Sequence, residues 1–479
     1  MRKTKIVATL GPATDEPDIL QALVKSGLDV ARFNFSHGDH DEHKKRVDNL
    51  RKACEETGAT VALMADTKGP EIRLDVFNGG KAELTAGSTF TLTSNTVAGD
   101  ASRAGISYRN LPCEVTPGAR ILLDDGLIEL LVESVSGVDI TTRVLTGGPI
   151  SDRKSVNVPG VKLDLPYINA KDRSDLRFFI ENGFDIIAAS FVRSSDDIKA
   201  IREELYRVDS GNKIKIIAKI ENADGVKNAD SILAAADGLM VARGDLGVED
   251  AYEDLPIIQK DLIKKALLQG KSVITATQML ESMIHNPRPT RAETSDVANA
   301  IYDGTGAIML SGETAMGKYP IESLAAMSRI AERIERDIDY RLIFGRGGYK
   351  PETSVTNAIS HATVTTAHDL QTAAILTVTL SGDTARNVAK FRPLCPIIAC
   401  TPSPVTQRQL KLVWGVIPLL TKEETDTTAM FNQAVKAAIS GGHLREGDLV
   451  VLTAGVPLGH SGTTNMLQVH VVGEKILVN

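Results

Sequence analysis

The feature that most constrains this chain is a series of eight short, continuous apolar runs rich in Val and Ile. The runs cover residues 5–10, 29–35, 60–66, 185–191, 214–220, 238–242, 272–276 and 306–311. Such runs are typical of strands buried on both faces of a parallel sheet. Amphipathic segments of helical length separate most of them, at 39–57, 171–183, 195–208, 223–236 and 256–270. Eight strands with intervening helices indicate a (β/α)8 TIM barrel, whereas six would have favoured an open doubly wound sheet.

Two regions depart from the barrel pattern and predict further domains. Residues 70–167 contain short alternating runs punctuated by Gly, Pro and Asp-Gly, which predicts a small all-β barrel or sandwich inserted into a barrel loop. A long helix at 320–338 is followed by a Gly-rich linker at 345–351 and then a second α/β pattern. Its strands are expected near 373–379, 396–400, 416–420, 448–453 and 467–472. The predicted domains are therefore a barrel (1–69 and 168–343), an inserted β domain (70–167) and a C-terminal α/β domain (353–479).

Composition excludes several classes of function. The 479 residues carry 54 basic and 61 acidic side chains, a net charge of −7, so no bulk positive field favours nucleic acid or an anionic membrane. An anionic ligand must instead be held by local Arg and Lys side chains. No stretch of 18 apolar residues and no signal-peptide core is present, so we expect no membrane span. The four cysteines lack CxxC spacing, which argues against zinc and disulfides and favours a reducing, cytoplasmic location.

Polar residues cluster where the predicted barrel strands end. In a (β/α)8 barrel the active site forms at the carboxyl ends of the strands, so these side chains are expected to share one rim. In strand order they are Arg32, Asn34, Ser36 and His37; Asp66, Thr67 and Lys68; Lys219 and Glu221; Arg243, Gly244 and Asp245; Thr275 and Thr277; and Ser311 and Glu313. The strand interiors stay apolar, and this separation of polar strand ends from apolar interiors is difficult to explain by structure alone.

Lys219, Glu221 and Asp245 form the most informative group on this rim. Alternation along a strand points Lys219 and Glu221 to the same side, and Asp245 ends the next strand. Two facing carboxylates would repel unless a cation lay between them, and Mg2+ is typically bound by one or two carboxylates and substrate oxygens. The group therefore predicts a divalent metal beside a phosphate-bearing anion. The alternative is a structural ion pair inside the barrel.

Gly244 and Thr277 are candidates for direct ligand contact. A glycine between Arg243 and Asp245, with Gly247 beyond it, allows backbone amides to approach a ligand closely at a helix start. Short glycine loops are common, and only the nearby strand end that carries Thr277 makes this one a candidate ligand site.

Asn34, Ser36, Asp66 and Thr67 form a second constellation, with three neutral oxygens and one carboxylate. The low charge of this set suits K+ better than Mg2+. The alternative for Ser36 and Thr67 is an ordinary Asx-turn or helix cap. For His37, the sequence favours a buried, hydrogen-bonded histidine.

The motifs at the strand ends resemble those of the pyruvate kinase family, in its bacterial type. They are RFNFSHG at 32–38, DTKGPEIR at 66–73, IIAKIEN at 216–222, MVARGDLG at 240–247, TATQMLE at 275–281 and MLSGETA at 309–315. The resemblance extends over the whole chain. It implies transfer of the phosphoryl group of phosphoenolpyruvate to ADP, giving pyruvate and ATP in the last step of glycolysis.

The resemblance also implies a role for each candidate residue. The catalytic residues are Lys219, Arg32 and Thr277, and the substrate is bound by Arg32, Gly244, Asp245 and Thr277. The nucleotide is bound by Asn34, His37, Arg73 and Lys154, the last from the inserted domain acting as a lid. Mg2+ or Mn2+ is held by Glu221 and Asp245, and K+ by Asn34, Ser36, Asp66 and Thr67. In this family a negative charge at the position of Glu71 accompanies K+ dependence.

The C-terminal region resembles the effector and oligomerisation domain of the family. Thr379, Ser381 and Thr384 belong to a loop that resembles its phosphate-binding loop, and GHSGTTN at 459–465 resembles its covering loop. The implied properties are a homotetramer and activation by a sugar phosphate or a nucleotide. Asp383 in the same loop would oppose a second phosphate, and an ordinary turn is an equally good interpretation.

Two other functions share parts of this pattern. A (β/α)8 lyase or aldolase that stabilises a pyruvate enolate would use the same metal carboxylates, but it would need neither Lys219 nor the inserted domain. A non-catalytic sensor on this scaffold would be expected to have lost Lys219, Glu221 or Asp245, and all three are present.

Overall fold

The computed structural model describes residues 2–161, 163–249, 253–346, 354–457 and 463–476. The chain begins with three strands and two helices of the barrel. They are β1 (Lys5–Thr9), α1 (Pro17–Lys25), β2 (Val30–Asn34), α2 (His40–Thr57) and β3 (Ala62–Asp66). Asp39 caps the amino end of α2 by accepting a hydrogen bond from the Glu42 backbone, and Gly58 ends the helix in a left-handed conformation.

The predicted β-rich insertion follows β3. Its elements are β4 (Lys81–Leu84), β5 (Thr89–Thr93), β6 (Arg103–Gly105), α3 (Leu111–Glu114), β7 (Arg120–Leu123), β8 (Ile128–Ser136), β9 (Asp139–Thr146), β10 (Gly148–Ser151) and β11 (Val156–Asn157). Six strands form one sheet in the order β11-β7-β8-β9-β5-β6, and β4 pairs with β10 in a second sheet. An apolar core that includes Phe90, Leu92 and Ile121 fills this unit.

The remaining barrel elements alternate strand and helix. They are α4 (Ala170–Glu181), β12 (Ile186–Ala189), α5 (Ser195–Val208), β13 (Lys215–Ile220), α6 (Ala223–Lys227), α7 (Ala229–Ala235), β14 (Gly238–Ala242), α8 (Arg243–Glu249), α9 (Leu255–Leu268), β15 (Ser272–Ala276), α10 (Arg291–Tyr302), β16 (Ala307–Leu310), α11 (Gly312–Ala315) and α12 (Pro320–Glu335). Eight parallel strands close in the order β1-β16-β15-β14-β13-β12-β3-β2. The (β/α)8 fold is confirmed, and each observed strand lies within one of the eight predicted runs.

Alternation along the strands separates two cores. One face of each strand packs against the surrounding helices, and the other fills the barrel interior with side chains such as Val30, Met64, Ala188 and Ile217. Along each of these strands, the residue two positions further on also points into the barrel. These positions carry polar side chains, namely Arg32, Asp66, Ser190 and Lys219.

The C-terminal region is a five-stranded α/β unit. Its elements are α14 (Val355–Asp369), β17 (Ala374–Val378), α15 (Asp383–Ala389), β18 (Ile397–Thr401), α16 (Pro404–Gln409), β19 (Val416–Leu420), α17 (Thr427–Ser440), β20 (Leu449–Gly455) and β21 (Thr464–Val471). The strand order is β19-β18-β17-β20-β21, with β21 antiparallel. The predicted second α/β pattern is therefore confirmed.

This unit contacts the amino-terminal face of the barrel, opposite the polar rim. Arg408 Nε lies 2.8 Å from Asp185 Oδ1, and Lys411 Nζ lies 3.0 Å from Asp29 Oδ1. Both aspartates precede barrel strands and are buried. The C-terminal unit is thus separated from the rim by the length of the strands.

Some predicted boundaries differ from the observed ones. The single predicted helix at 223–236 is two helices, because Asn228 ends α6 and α7 begins directly after it. The predicted linker is wrong at its start, since Gly345 belongs to helix α13 (Tyr340–Arg346), and residues 347–351 lie outside the described part of the chain. The domain boundaries remain a prediction. Among the described residues, no helix is both long and apolar enough to cross a membrane.

Candidate functional site

A cavity of about 520 Å³ lies between the carboxyl ends of the barrel strands and the inserted β unit. Nine of the predicted site residues line it: Arg32, Asn34, Ser36, His37, Arg73, Lys154, Lys219, Glu221 and Asp245. Asp66 and Thr67 are buried behind the cavity wall. Strand register explains the grouping, because Asn34 lies opposite Asp66 across β2 and β3. The structure therefore brings most of the predicted residues together.

Lys219 lies at the centre of a buried polar network. Its Nζ atom donates hydrogen bonds to Asp66 Oδ1 at 3.0 Å and to Ser190 Oγ at 2.7 Å. Glu221 Oε1 is 2.9 Å away, within ion-pair distance. Burial would lower the pKa of Lys219, but the negative charges of Asp66 and Glu221 outweigh it and raise the pKa. The ammonium group is therefore held in its charged form.

Glu221 and Asp245 form a close carboxyl pair. Both side chains line the cavity, and Glu221 Oε2 accepts a hydrogen bond from the Phe191 backbone at 2.6 Å. Burial raises the pKa of Glu221 to about 8, and the Asp245 charge adds to this rise despite the opposing effect of Lys219. Burial likewise raises the pKa of Asp245. Without a cation, two neighbouring carboxyls whose pKa values are both raised favour sharing a proton.

The donor set at this pair fits a hard divalent cation. Glu221 Oε1 is buried and accepts no hydrogen bond, since Lys219 is near it but outside hydrogen-bonding geometry. A cation would satisfy this oxygen and remove the reason for the raised pKa values. Within the described ranges, no group of three or more His, Cys, Asp or Glu side chains is arranged to hold a metal. The pair can therefore supply two ligands, and substrate and water would have to supply the others.

Arg32 is fixed by two buried partners. Its Nε atom donates to Asp66 Oδ2 at 2.6 Å, and its Nη1 atom donates to Thr9 Oγ1 at 2.8 Å. Asp66 therefore binds Arg32 through one oxygen and Lys219 through the other. The arginine and the lysine in turn keep the pKa of the buried Asp66 low. One aspartate thus fixes two cations beside the cavity.

Gly244 and Thr277 are joined by a hydrogen bond next to Asp245. The Gly244 N–H donates to Thr277 Oγ1 at 2.8 Å. Thr277 has a φ of +65°, a conformation that is costly for a β-branched residue. Arg243 holds it there by donating to the Thr277 carbonyl at 2.6 Å. Backbone strain persists only where surrounding contacts impose it, and strained residues of this kind are concentrated at functional sites.

Comparisons with known proteins agree with this geometry. The family described as "Pyruvate kinase, barrel domain" matches residues 1–324, and "Pyruvate kinase, alpha/beta domain" matches residues 357–470. The chain belongs to the pyruvate kinase family. It is therefore an enzyme of the phosphotransferase class, and the interpretations as an enolate-forming lyase or a non-catalytic sensor are wrong.

Individual relatives show how far the similarity extends. The chain is 52% identical to a pyruvate kinase of Geobacillus stearothermophilus over 475 residues, which is 99% of this chain and 81% of that protein. It is 47% identical to a pyruvate kinase of Clostridium acetobutylicum, covering 98% of this chain and 100% of the relative. A solved pyruvate kinase from Cryptosporidium parvum superposes with a TM-score of 0.92 at 39% identity, over 98% of this chain and 96% of that one.

Arg73 and Lys154 approach the cavity from the inserted unit. Both are engaged with acidic side chains: Arg73 forms two hydrogen bonds to Glu71, at 2.8 and 2.9 Å, and Lys154 Nζ lies 2.7 Å from Asp124. His37 lies at the cavity edge and is exposed, so the interpretation as a buried histidine is wrong. The buried histidine nearby is His43 of helix α2, which is hydrogen-bonded to the His37 carbonyl at 2.9 Å.

The four predicted K+ ligands lie at or just beyond the ends of β2 and β3, and three of their side chains, those of Asn34, Asp66 and Thr67, have protein partners. Asn34 Oδ1 accepts from the Ser36 backbone at 3.1 Å, in the turn that was the alternative interpretation. Thr67 Oγ1 accepts from the Ser190 backbone at 3.1 Å, and Asp66 is bound by the two cations described above. The K+ assignment remains a prediction.

The predicted effector loop is held by its own hydrogen bonds. Thr379 Oγ1 accepts from the Gly382 backbone at 2.9 Å, Ser381 donates to Asp383 at 2.6 Å, and Thr384 Oγ1 lies 2.8 Å from Thr464 Oγ1. Arg386 pairs with Asp383 at 2.8 Å. Residues 459–462 of the covering loop lie outside the described residues. The effector site therefore remains a prediction.

Ser190 and Phe191, at the end of β12, are the main residues that sequence reasoning missed. Both line the cavity and contact predicted site residues. The sequence contained a signal for Ser190. Ile186 and Ala188 point into the barrel, and alternation along the strand makes Ser190 point the same way. The run 185–191 was predicted as a strand, but no side chain was taken from its end.

Proposed function

We propose that this enzyme transfers the phosphoryl group of phosphoenolpyruvate to ADP. The bond between the enol oxygen and phosphorus breaks, and a bond forms between phosphorus and a terminal β-phosphate oxygen of ADP. The resulting pyruvate enolate takes a proton at C3 to give pyruvate, and the nucleotide product is ATP. The observation that carries the proposal is the buried Lys219 ammonium, which lines the cavity beside the carboxyl groups of Glu221 and Asp245.

Lys219 and Arg32 supply fixed positive charge on the substrate side. Because both are bound by Asp66, they need not reorganise when negative charge spreads over the oxygens of the migrating group. Arg32 and the Gly244–Thr277 pair orient phosphoenolpyruvate. In this proposal Thr277 would act next to Asp245, where its hydroxyl accepts the hydrogen bond of the Gly244 N–H. These residues bind and orient, and Lys219 stabilises the transfer itself.

Glu221 and Asp245 would hold Mg2+ or Mn2+, which when bound supplies charge neutralisation to the phosphoryl oxygens. The unsatisfied Glu221 Oε1 supports this assignment. Asn34, Ser36, Asp66 and Thr67 would hold K+, supported by the strand register that groups them. Asn34, His37, Arg73 and Lys154 would bind the nucleotide. For that, Lys154 must leave Asp124 as the inserted unit closes as a lid.

The remaining properties are proposed on family membership. They are a cytoplasmic location, a homotetramer, and activation by a sugar phosphate or nucleotide at Thr379, Ser381 and Thr384. The last is supported by the short loop before α15, which carries the hydroxyls of Thr379 and Ser381 and has Gly382 at a φ of +86°, with Thr384 in the first turn of the helix.

A coupled assay tests the reaction. The purified chain is given phosphoenolpyruvate, ADP, Mg2+ and K+, and pyruvate and ATP are measured separately. Equal amounts of the two products, dependent on ADP, are expected. Pyruvate without ATP would contradict the proposal. Omitting each cation in turn, with tetramethylammonium as the replacement for K+, tests the two cation sites.

A further inference from the structure

The end of barrel strand β12 is a tight two-residue turn, Ser190–Phe191, whose Ser190 hydroxyl and Phe191 N–H face the active-site network. Ser190 is 2% exposed and continues the interior phase of the strand. Phe191 has a φ of +55°, an uncommon conformation for a bulky residue. It aims the Phe191 N–H at Glu221 Oε2, 2.6 Å away. Backbone strain is therefore maintained where it serves a cavity carboxylate.

Neighbouring residues fix this turn from outside. Tyr167 donates its hydroxyl to the Ser190 carbonyl at 2.8 Å. Gly69 has a φ of +69°, and a Cβ at that position would lie 2.8 Å from the Ser190 carbonyl oxygen and 3.1 Å from the Ser190 Cβ. Such close packing leaves the serine little freedom, so the position of its hydroxyl is determined by the fold.

The Ser190 hydroxyl can serve Lys219 only as an acceptor. An ammonium group has donors and no lone pair, so Ser190 Oγ accepts from Lys219 at 2.7 Å. The single hydroxyl proton must then go to the Thr67 carbonyl at 2.6 Å or to Asp66 Oδ1 at 3.0 Å. Both acceptors lie on the strand end of β3. The hydroxyl thus links that strand end to the lysine.

The same contacts account for the direction of the ammonium group. Ser190 and Asp66 take two of its three N–H donors, and Glu221 is near it without hydrogen-bonding geometry. Among the described residues the third donor therefore has no hydrogen-bond acceptor. With two donors held on the wall, the third is directed by geometry and is free for a substrate oxygen. If either wall contact were lost, an N–H could turn to hydrogen-bond Glu221 Oε1, which is already at ion-pair distance, and the third donor would no longer be directed at the cavity.

We infer that Ser190 is a positioning residue for phosphoryl transfer, because its hydroxyl holds the Lys219 ammonium against the wall and so fixes the direction of the remaining N–H donor. The inference rests on the proposed role of Lys219 in the transfer step. Ser190 does not touch the reacting atoms, so its whole effect should pass through the lysine. A group that merely stabilised the fold would have no such dependence on Lys219.

The test compares Ser190→Ala, Lys219→Met and the double variant in two assays. One measures phosphoryl transfer at saturating phosphoenolpyruvate and ADP, and the other measures exchange of the C3 protons of pyruvate in D2O by NMR. Ser190→Ala is expected to lower kcat for transfer by about 10- to 100-fold, the effect of misplacing a catalytic group by about 1 Å. The rate of proton exchange should change less than about threefold. The double variant should have the same transfer rate as Lys219→Met, because Ser190 acts only through the lysine and the two effects are therefore not additive.

Ser323→Ala is the matched control. It removes the same atom from another fully buried serine, whose hydroxyl donates to the Tyr319 carbonyl at 2.7 Å on helix α12, away from the cavity. It should lower thermal stability to a similar extent and leave both reactions unchanged. If Ser190→Ala reduced transfer and exchange equally, left transfer unchanged, or reduced activity further in the Lys219→Met protein, the inference would be wrong. Survival of transfer in Lys219→Met itself would instead contradict the proposed function.

Discussion

Lys219 Nζ lies 2.9 Å from Glu221 Oε1, yet that buried oxygen accepts no hydrogen bond. The lysine is committed to Asp66 and Ser190, so the carboxylate oxygen remains available on the cavity side. Burial disfavours the charged form of this carboxylate and raises the pKa of Glu221 to about 8. An unsatisfied carboxylate beside an oriented ammonium is what a metal-assisted transfer of a phosphoryl group requires.

Replacing Lys219 by Met should abolish phosphoryl transfer while leaving enolisation. The change removes the fixed positive charge but keeps a side chain of similar length, so we expect kcat for transfer to fall by about 10³-fold or more. Exchange of the pyruvate C3 protons should persist, because it does not require charge on a migrating phosphoryl group. Transfer at wild-type rate would show that Lys219 is structural.

Divalent metal binding should be coupled to proton release. In the metal-free protein the Glu221 pKa of about 8 means that the carboxyl is largely protonated at pH 7, and a metal must displace that proton. Mn2+ affinity should therefore rise with pH up to about 8. Isothermal titration calorimetry in two buffers of different ionisation enthalpy measures the number of protons released.

The same pKa predicts a stability trend with a defined sign. A carboxyl whose folded pKa is raised from 4.5 to about 8 favours folding in its protonated form. This contribution is complete below pH 4.5 and is lost as pH rises through about 8. Metal-free wild type should thus lose stability over this window relative to Glu221→Gln, which cannot ionise. Parallel pH profiles for the two proteins, or metal binding without proton release, would show that Glu221 is already ionised.

Replacing Glu71 by Lys should reduce the dependence on K+. Glu71 forms two hydrogen bonds to Arg73, and a lysine would bring its own cation to this side of the cavity. The ratio of rates with and without K+ should fall toward unity, measured against tetramethylammonium at constant ionic strength. Glu71→Gln is the matched control, because it removes the negative charge without adding a cation and should remain K+ dependent. An equal response of both variants would mean that the second cation site is misplaced.

Thr277→Ala tests the hydrogen bond that connects β15 to Gly244. The change removes the Oγ1 acceptor of the Gly244 N–H, so we expect kcat/KM for phosphoenolpyruvate to fall by about 10- to 100-fold. Thr277→Ser keeps the oxygen and should retain most of the activity. Steady-state kinetics with circular dichroism separates this effect from misfolding. Equal activity of the alanine and serine variants would exclude a role for the hydroxyl.

The sequence pattern was sufficient to predict the architecture, because the architecture depends on short-range regularities in the sequence. Val and Ile runs that are apolar on both faces can be buried only in a covered parallel sheet, and eight of them close a barrel. The same alternation placed Lys219 and Glu221 on one side of β13. Pattern was less informative where local chemistry decided the outcome, as at Asn228, where one predicted helix is two.

By itself, the sequence determined the barrel, the inserted β unit, the C-terminal α/β unit and the rim on which the polar residues meet. Tertiary structure decided which partners those residues have. Asp66, expected as a K+ ligand, binds Arg32 and Lys219, and Ser190 joins them from the end of a strand for which the sequence predicted no site residue. Periodicity fixes the direction of a side chain along its own strand. The distance between atoms on different strands depends on barrel closure, stagger and turn geometry, which no local pattern encodes.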